Sequence, residues 1–166
     1  MEYGRAFCSG RSAAVGHNGA VCASTPAASL AGVRTLNEGG NAADAIIAMA
    51  AALVVTEPTS NGLGSDLFAI ICKDGKLHGI NASGRAPAAI SAEVLRQKGH
   101  KGMPLVGWEP VTVPGMVRGW ADISSRFGKL GLRKALEPAI TLAEEGYAVS
   151  PVVAYFWGFA AARQGG

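Results

Sequence analysis

The sequence has 166 residues and a formal net charge of +3, and 49% of its residues are hydrophobic against 16% that are charged. This balance predicts an ordered chain with a buried core and excludes a disordered tail. The 15 basic and 12 acidic residues are scattered without a run, so no charged stripe indicates nucleic acid or an anionic membrane surface as a partner.

The first predicted element is a helix that begins after Thr25. A threonine can accept a hydrogen bond from the first helical turn, and Pro26 is tolerated at the first helical position because its missing N–H would be unpaired there. Apolar residues then recur at helical spacing as far as Gly39-Gly40. Glycines in this place end helices, so the first helix is predicted to stop there.

A second helix is predicted from Asn41 to Val55. Asn41 can cap it, and Asp44 lies three residues further on, where its carboxylate can complete a capping box. Because no polar residue appears from 45 to 55, we expect burial on every side and a scaffold role. This apolar run is well below the roughly 18 residues needed to cross a bilayer, and residues 1–15 show no signal-peptide segment. We therefore expect no membrane partner and a cytoplasmic location.

A glycine-containing loop and a hairpin follow. The dipeptide Glu57-Pro58 ends the second helix, and TSNGLGSD at 59–66 is predicted to be a loop. Two apolar runs, Leu67–Cys72 and Leu77–Asn81, flank the turn signal Asp74-Gly75, which predicts a β-hairpin. Chemistry is expected in the loops at 59–66 and 81–87, which precede and follow the hairpin in the chain.

The second half is predicted to be mostly helical. Helices are expected over Ser91–Gln97, Met116–Phe127 and Leu132–Glu145, with a proline-containing loop at 99–114. The last 17 residues, SPVVAYFWGFAAARQGG, form an apolar helix-like segment that runs into the chain end. Exposed aromatic residues there would be an aggregation liability, so residues 1–166 are expected to be a single incomplete domain of a longer protein.

Cysteine and histidine residues give no sign of a metal site. The three cysteines are Cys8, Cys22 and Cys72, and no C-x-x-C or Cys/His ligand spacing occurs among them and the three histidines. Neither a zinc site nor a disulfide framework is predicted, and no metal ligand is assigned.

The order of several motifs resembles the N-terminal part of the large subunit of the γ-glutamyltranspeptidase (glutathione hydrolase) family. The resemblance extends from about Val15 to the chain end and depends on NGAVCAS, STPAASLAGVRTLNEGGNAADAIIAMAAALVVTEP, GLGSDLF, DGKLHGINASGRAP, VTVPGMVRGW and PAITLAEEGYAVS. It implies an α+β fold, the αββα sandwich of N-terminal-nucleophile hydrolases, of which this chain would hold a helix-rich N-terminal part.

The resemblance also implies an activity, the transfer of γ-glutamyl groups from compounds such as glutathione to water or an amine. In the family, a precursor cleaves itself before a threonine, which then acts as the nucleophile while its new α-amine acts as the base. That threonine lies in a Thr-Thr-His type of segment, and no threonine here is followed by Thr-His. We therefore expect no catalytic residue in this chain, no cofactor, and a C-terminal small subunit as partner.

For the large subunit, the resemblance implies an arginine that binds the substrate carboxylate, a task suited to the guanidinium fork. Arg85 in NASGRAP is the candidate. Family members place this arginine further from the Ala-Pro, and alignment without a gap puts Ser83 there. Either the loop shifts so that Arg85 reaches the carboxylate, or the specificity differs.

Two alternatives therefore stay open beside the γ-glutamyl reaction. One is a related amidase, such as an enzyme that hydrolyses cephalosporin side chains. The other is a non-enzymatic binding domain on the same scaffold, either alone or self-associated as a homo-oligomer.

Overall fold

The computed structural model describes residues 13–164 of the chain. It contains six helices and two strands in this range: α1 (Pro26–Asn37), α2 (Ala42–Thr56), β1 (Leu67–Lys73), β2 (Lys76–Ala82), α3 (Ala92–Gln97), α4 (Met116–Phe127), α5 (Leu132–Glu145) and α6 (Pro151–Gln164). The predicted elements are confirmed. Their boundaries differ from the predicted ones by about one residue, except at the end of α1, where the difference is a few residues.

The caps predicted for α1 and α2 are present. The hydroxyl of Thr25 accepts a hydrogen bond from the backbone N–H of Ala28 at 3.3 Å. At the start of α2, the side-chain oxygen of Asn41 accepts from the N–H groups of Ala43 and Asp44, and the N–H of Asn41 donates to the Asp44 carboxylate at 3.0 Å. This reciprocal arrangement is the predicted capping box.

Helix α2 lies at the centre of the helical layer, between α1 and α5, and it also contacts α4. Small side chains line it, so the neighbouring helices can approach closely. The core is formed by thirteen buried residues: Ala28, Ala31, Ala43, Ile47, Ala48, Ala51, Ala52, Met116, Trp120, Ile123, Phe127, Ala135 and Ala139.

The expectation that α2 is buried on every side is wrong at Ile46, whose exposed fraction is 46%. Its side chain lines an open cleft that Ile70 of β1 and Asn18 also line. An apolar sequence predicts burial only where neighbouring elements cover each face, and this cleft leaves one face of α2 uncovered.

Strands β1 and β2 form an antiparallel hairpin in which Leu67 pairs with Ala82 and Lys73 pairs with Lys76. Its two-residue turn has positive φ at Asp74 and Gly75, 52° and 73°, as a type I′ turn requires. Alternate residues of the inner face pack against the helical core. On the outer face, Phe68, Ile70 and Leu77 are 69%, 82% and 75% exposed.

Parts of the chain discussed above lie outside the described residues. These are residues 1–12, which include Cys8 and most of the segment that was searched for a signal peptide, and residues 165–166. Within the described range, Cys22 and Cys72 are free thiols. No helix between residues 13 and 164 is both long enough and apolar enough to cross a bilayer.

Candidate functional site

Three loops meet at the open end of the hairpin. Pairing of Leu67 with Ala82 places the glycine loop (59–66) beside the loop that contains Ser83 and Arg85 (81–87). The segment 111–115 reaches the same place, since the N–H of Met116 at the start of α4 donates to the carbonyl of Ser65 at 3.0 Å. The hairpin register and the start of α4 therefore determine the position of this loop cluster.

The segment 111–115 is hydrogen bonded to both of the other loops. The N–H of Val113 donates to the carbonyl of Arg85 at 2.9 Å. The hydroxyl of Thr112 donates to a carboxylate oxygen of Asp66 at 3.1 Å. Adjacent residues of one segment thus contact both the loop that precedes β1 and the loop that follows β2.

Two glycines allow the backbones to approach this closely. Gly84 has φ +68°, and a Cβ atom there would lie 1.7 Å from the carbonyl oxygen of Val113. A Cβ atom on Gly115 would lie 2.2 Å from the carbonyl oxygen of Ala82. Any side chain at either position would force the backbones apart. The Ser83–Arg85 backbone is consequently fixed by its contact with 111–115.

The structure places the two predicted substrate-binding residues in this cluster with different exposure. Ser83 is half-buried, and its N–H donates to the side-chain oxygen of Asn81 at 3.0 Å. Arg85 is exposed, and its guanidinium has no hydrogen-bond or ion-pair partner among residues 13–164. A guanidinium in this state can bind an incoming carboxylate without first breaking an internal ion pair.

Thr112 is the residue of the cluster that sequence reasoning missed. Asp66 is the last residue of the predicted loop 59–66, and the hydroxyl that donates to its carboxylate lies 46 positions away in the chain. No local pattern indicates a contact of that separation. The three prolines in 99–114 were a weak sign that this loop has a fixed path.

Comparison with known proteins assigns the chain to a family. The family model described as γ-glutamyltranspeptidase matches residues 28–163. The chain belongs to this family. The predicted resemblance is therefore confirmed, and all three loops of the cluster lie inside the matched range.

Solved γ-glutamyltranspeptidase-family structures show the same fold. The γ-glutamyltranspeptidase of Helicobacter pylori is 31% identical with a TM-score of 0.84, over 92% of this chain and 45% of that one. The cephalosporin acylase of Bacillus halodurans is 50% identical with a TM-score of 0.80, over 84% of this chain and 26% of that one. These matches confirm the N-terminal-nucleophile hydrolase fold, of which the described residues form a helix-rich part with one hairpin.

A curated relative shows how much of the family's length is present. The glutathione hydrolase-like YwrD proenzyme of Bacillus subtilis (strain 168) is 41% identical over 128 residues, which are 74% of this chain and 24% of the relative. The chain thus spans about a quarter of the length of the curated relatives that it matches. The chain corresponds to the N-terminal part of the large subunit of a γ-glutamyltranspeptidase.

Proposed function

We propose that this chain is the N-terminal part of a self-cleaving precursor whose mature form hydrolyses or transfers γ-glutamyl groups, with glutathione as the representative substrate. The observation that carries the proposal is the superposition on the Helicobacter pylori γ-glutamyltranspeptidase, which covers 92% of the chain. The partner is a C-terminal small subunit that supplies the nucleophilic threonine. Homologues named as proenzymes support this division.

In this scheme the chain binds substrate and the partner performs the bond exchange. The exposed guanidinium of Arg85 binds the α-carboxylate of the γ-glutamyl group, and the loop cluster holds that arginine in place. The threonine hydroxyl of the small subunit then attacks the amide carbonyl while the threonine α-amine takes its proton, and the C–N bond breaks as that proton passes to the departing amine. Water or an acceptor amine releases the γ-glutamyl group. The 166-residue chain alone is expected to have no such activity.

The experiment compares wild-type precursor with Arg85→Ala and Arg85→Lys on a chromogenic γ-glutamyl anilide. Arg85→Ala should lower kcat/KM by an amount that corresponds to a loss of about 2–5 kcal/mol in transition-state stabilisation, because it removes one partner of a desolvated charge pair. Arg85→Lys should restore part of the loss, since an ammonium cannot make two parallel hydrogen bonds to a carboxylate. Self-cleavage, followed by gel electrophoresis, should survive in both variants.

A second function, hydrolysis of the acyl side chain of cephalosporins, is favoured by two observations. Identity to the Bacillus halodurans cephalosporin acylase is 50%, against 31% for the Helicobacter pylori enzyme. Ser83 also stands where alignment without a gap expects the family arginine. Assay of the same precursor on a cephalosporin amide separates the two functions. A normally processed enzyme that hydrolyses this amide, ignores the γ-glutamyl anilide and is unaffected by Arg85→Ala would replace the first proposal with the second.

A further inference from the structure

Asp66 and Thr112 form a hydrogen bond in the loop cluster that has no direct role in carboxylate binding by Arg85 itself. Their hydrogen bond at 3.1 Å joins the glycine loop to the segment 111–115. The next residue of that segment, Val113, donates to the carbonyl of Arg85 at 2.9 Å. A short path of contacts therefore runs from the Asp66 carboxylate through the 112–113 backbone to the backbone of Arg85.

The backbone of the segment 111–115 has little freedom to contact Arg85 except through the Val113 N–H. Pro114 follows Val113 and has no N–H to donate. The carbonyl of Val113 lies so close to Gly84 that a Cβ atom there would be only 1.7 Å away. At the far end of the segment, Met116 is fixed by its hydrogen bond to the carbonyl of Ser65. The Thr112 side chain, with the hydrogen bond from the Val111 N–H to the carbonyl of Trp108 at 3.3 Å, therefore sets the position of the residues immediately before Val113.

We propose that Asp66 and Thr112 are positioning residues for Arg85, which hold the 111–115 segment so that the guanidinium meets the substrate carboxylate at the correct distance. This inference rests on the proposed function. The pair touches no substrate, and its effect passes through the Val113–Arg85 hydrogen bond. Displacement of a binding group by about 1 Å can lower a rate 10²-fold. Loss of the exposed Thr112–Asp66 hydrogen bond can therefore affect substrate binding while it leaves the fold intact.

The kinetic test uses Thr112→Val, which removes the hydroxyl at nearly constant shape, in the self-cleaving precursor. We expect the KM for the γ-glutamyl anilide to rise about tenfold, within the effect that such a misplacement allows, with kcat changed by less than about twofold. Thr112→Ser, which keeps the hydroxyl, should retain the wild-type KM. In an Arg85→Ala background, Thr112→Val should have no further effect, because the arginine that it positions is gone.

Asp122→Ala is the matched control. It removes another carboxylate that accepts a side-chain hydrogen bond, from Arg118 at 3.0 Å on the exposed surface of α4. No change in KM is expected from it. An unchanged KM in Thr112→Val, or an equal rise with and without Arg85, would overturn the positioning role and would assign the hydrogen bond to the fold alone.

A second measurement does not depend on activity. Amide hydrogen exchange of the peptide that covers 111–116 should become about tenfold faster in Thr112→Val, since without the Thr112–Asp66 bond the Val113 N–H separates more often from the Arg85 carbonyl. Exchange should be normal in Thr112→Ser. Unchanged exchange would overturn the inference. If the wild-type precursor cleaves neither amide, the proposed function has failed, and the exchange rate alone then decides whether Thr112 holds the Arg85 loop.

Discussion

Asp44 connects the beginning of α2 to the turn between α4 and α5. Its side chain is fully buried, and its two carboxylate oxygens accept from the N–H groups of Asn41, Lys129 and Leu130 at 2.9–3.2 Å. The amide of Asn41 adds a bond to the carbonyl of Phe127 at 2.7 Å. A residue interpreted from sequence as a helix cap thus also determines how two distant helices are joined.

We predict that Asp44→Asn lowers the free energy of unfolding by about 2–4 kcal/mol, because an amide nitrogen replaces an acceptor and leaves buried N–H groups unpaired. Urea unfolding followed by circular dichroism measures the loss. Asp122→Asn, on the exposed side of α4, is the control and should change stability by less than about 0.5 kcal/mol. Equal small effects of the two substitutions would show that the Asp44 hydrogen bonds contribute little.

Glu109 forms a contact with Lys98 whose contribution to stability depends on pH. The ammonium of Lys98 donates a hydrogen bond to its carboxylate at 2.8 Å, and this bond, with help from the Glu109 backbone N–H, lowers the pKa of Glu109 below its ordinary value. A carboxyl whose pKa is lowered by folding stabilises the folded state above the ordinary glutamate pKa of about 4.3. That contribution is lost as the pH falls through the lowered pKa.

Thermal unfolding of wild type and Glu109→Gln from pH 7 to pH 3 tests this sign. The wild-type chain should have the higher Tm at pH 7, by a small amount because the pair lies at the surface, and the difference should disappear towards pH 3. Lys98→Met should show the same trend, since it removes the cause of the shift. A difference that stays constant with pH would contradict the assignment.

At the scale of elements, the end of α2 is held by a residue from a loop 91 positions away. The hydroxyl of Tyr147 donates to the carbonyl of Thr56 at 3.1 Å, and the hydroxyls of Thr56 and Thr25 are hydrogen bonded at 3.0 Å. The last turn of α2, the N-cap of α1 and the connection before α6 therefore share one polar cluster. Carbonyls of the last helical turn have no partner within the helix, so Tyr147 satisfies one of them.

Tyr147→Phe removes this hydrogen bond and keeps the ring. We predict a loss of about 0.5–1.5 kcal/mol in the free energy of unfolding, the usual net contribution of one hydrogen bond. Because α6 begins at Pro151, shortly after Tyr147, proteolytic cleavage within residues 146–150 should become faster in the variant. Tyr155→Phe, at a residue whose side chain is 70% exposed on α6, is the control and should change neither quantity.

At the scale of the whole molecule, the described part of the chain leaves apolar surface uncovered on the hairpin and on α6. On the hairpin it is the outer face of Phe68, Ile70 and Leu77, and on α6 Tyr155 is 70% and Phe156 51% exposed. Clustered apolar surface of this kind marks an interaction site or causes self-association. We predict that the isolated 166-residue chain associates with itself and binds a hydrophobic dye.

Replacement of Phe68 and Ile70 by Ser and Thr should reduce dye fluorescence and shift the light-scattering mass towards the monomer. Leu105→Ser is the control, since Leu105 is 90% exposed and belongs to the 99–114 loop, not to the hairpin or to α6, and it should have no effect. A monodisperse wild-type monomer without dye response would show that these surfaces are tolerated in water.

Most of the secondary structure was predictable because its causes are local. The caps at Thr25 and Asn41, the Asp74-Gly75 turn and the helical spacing of α4 and α5 each depend on residues a few positions apart. The alternation of the hairpin likewise follows from the side-chain period of a strand. The order of the motifs indicated the family, which residue types alone do not specify.

The sequence by itself determined the elements, the family and Arg85 as the candidate cation of the site. Only the tertiary structure decided which loops meet, because the Thr112–Asp66 and Val113–Arg85 hydrogen bonds join residues 46 and 28 positions apart. It also decided that Ile46 is partly exposed on a helix most of whose residues are buried. Contacts and burial of this kind depend on the packing of distant elements, whereas caps, turns and periodicity depend on neighbours in the chain.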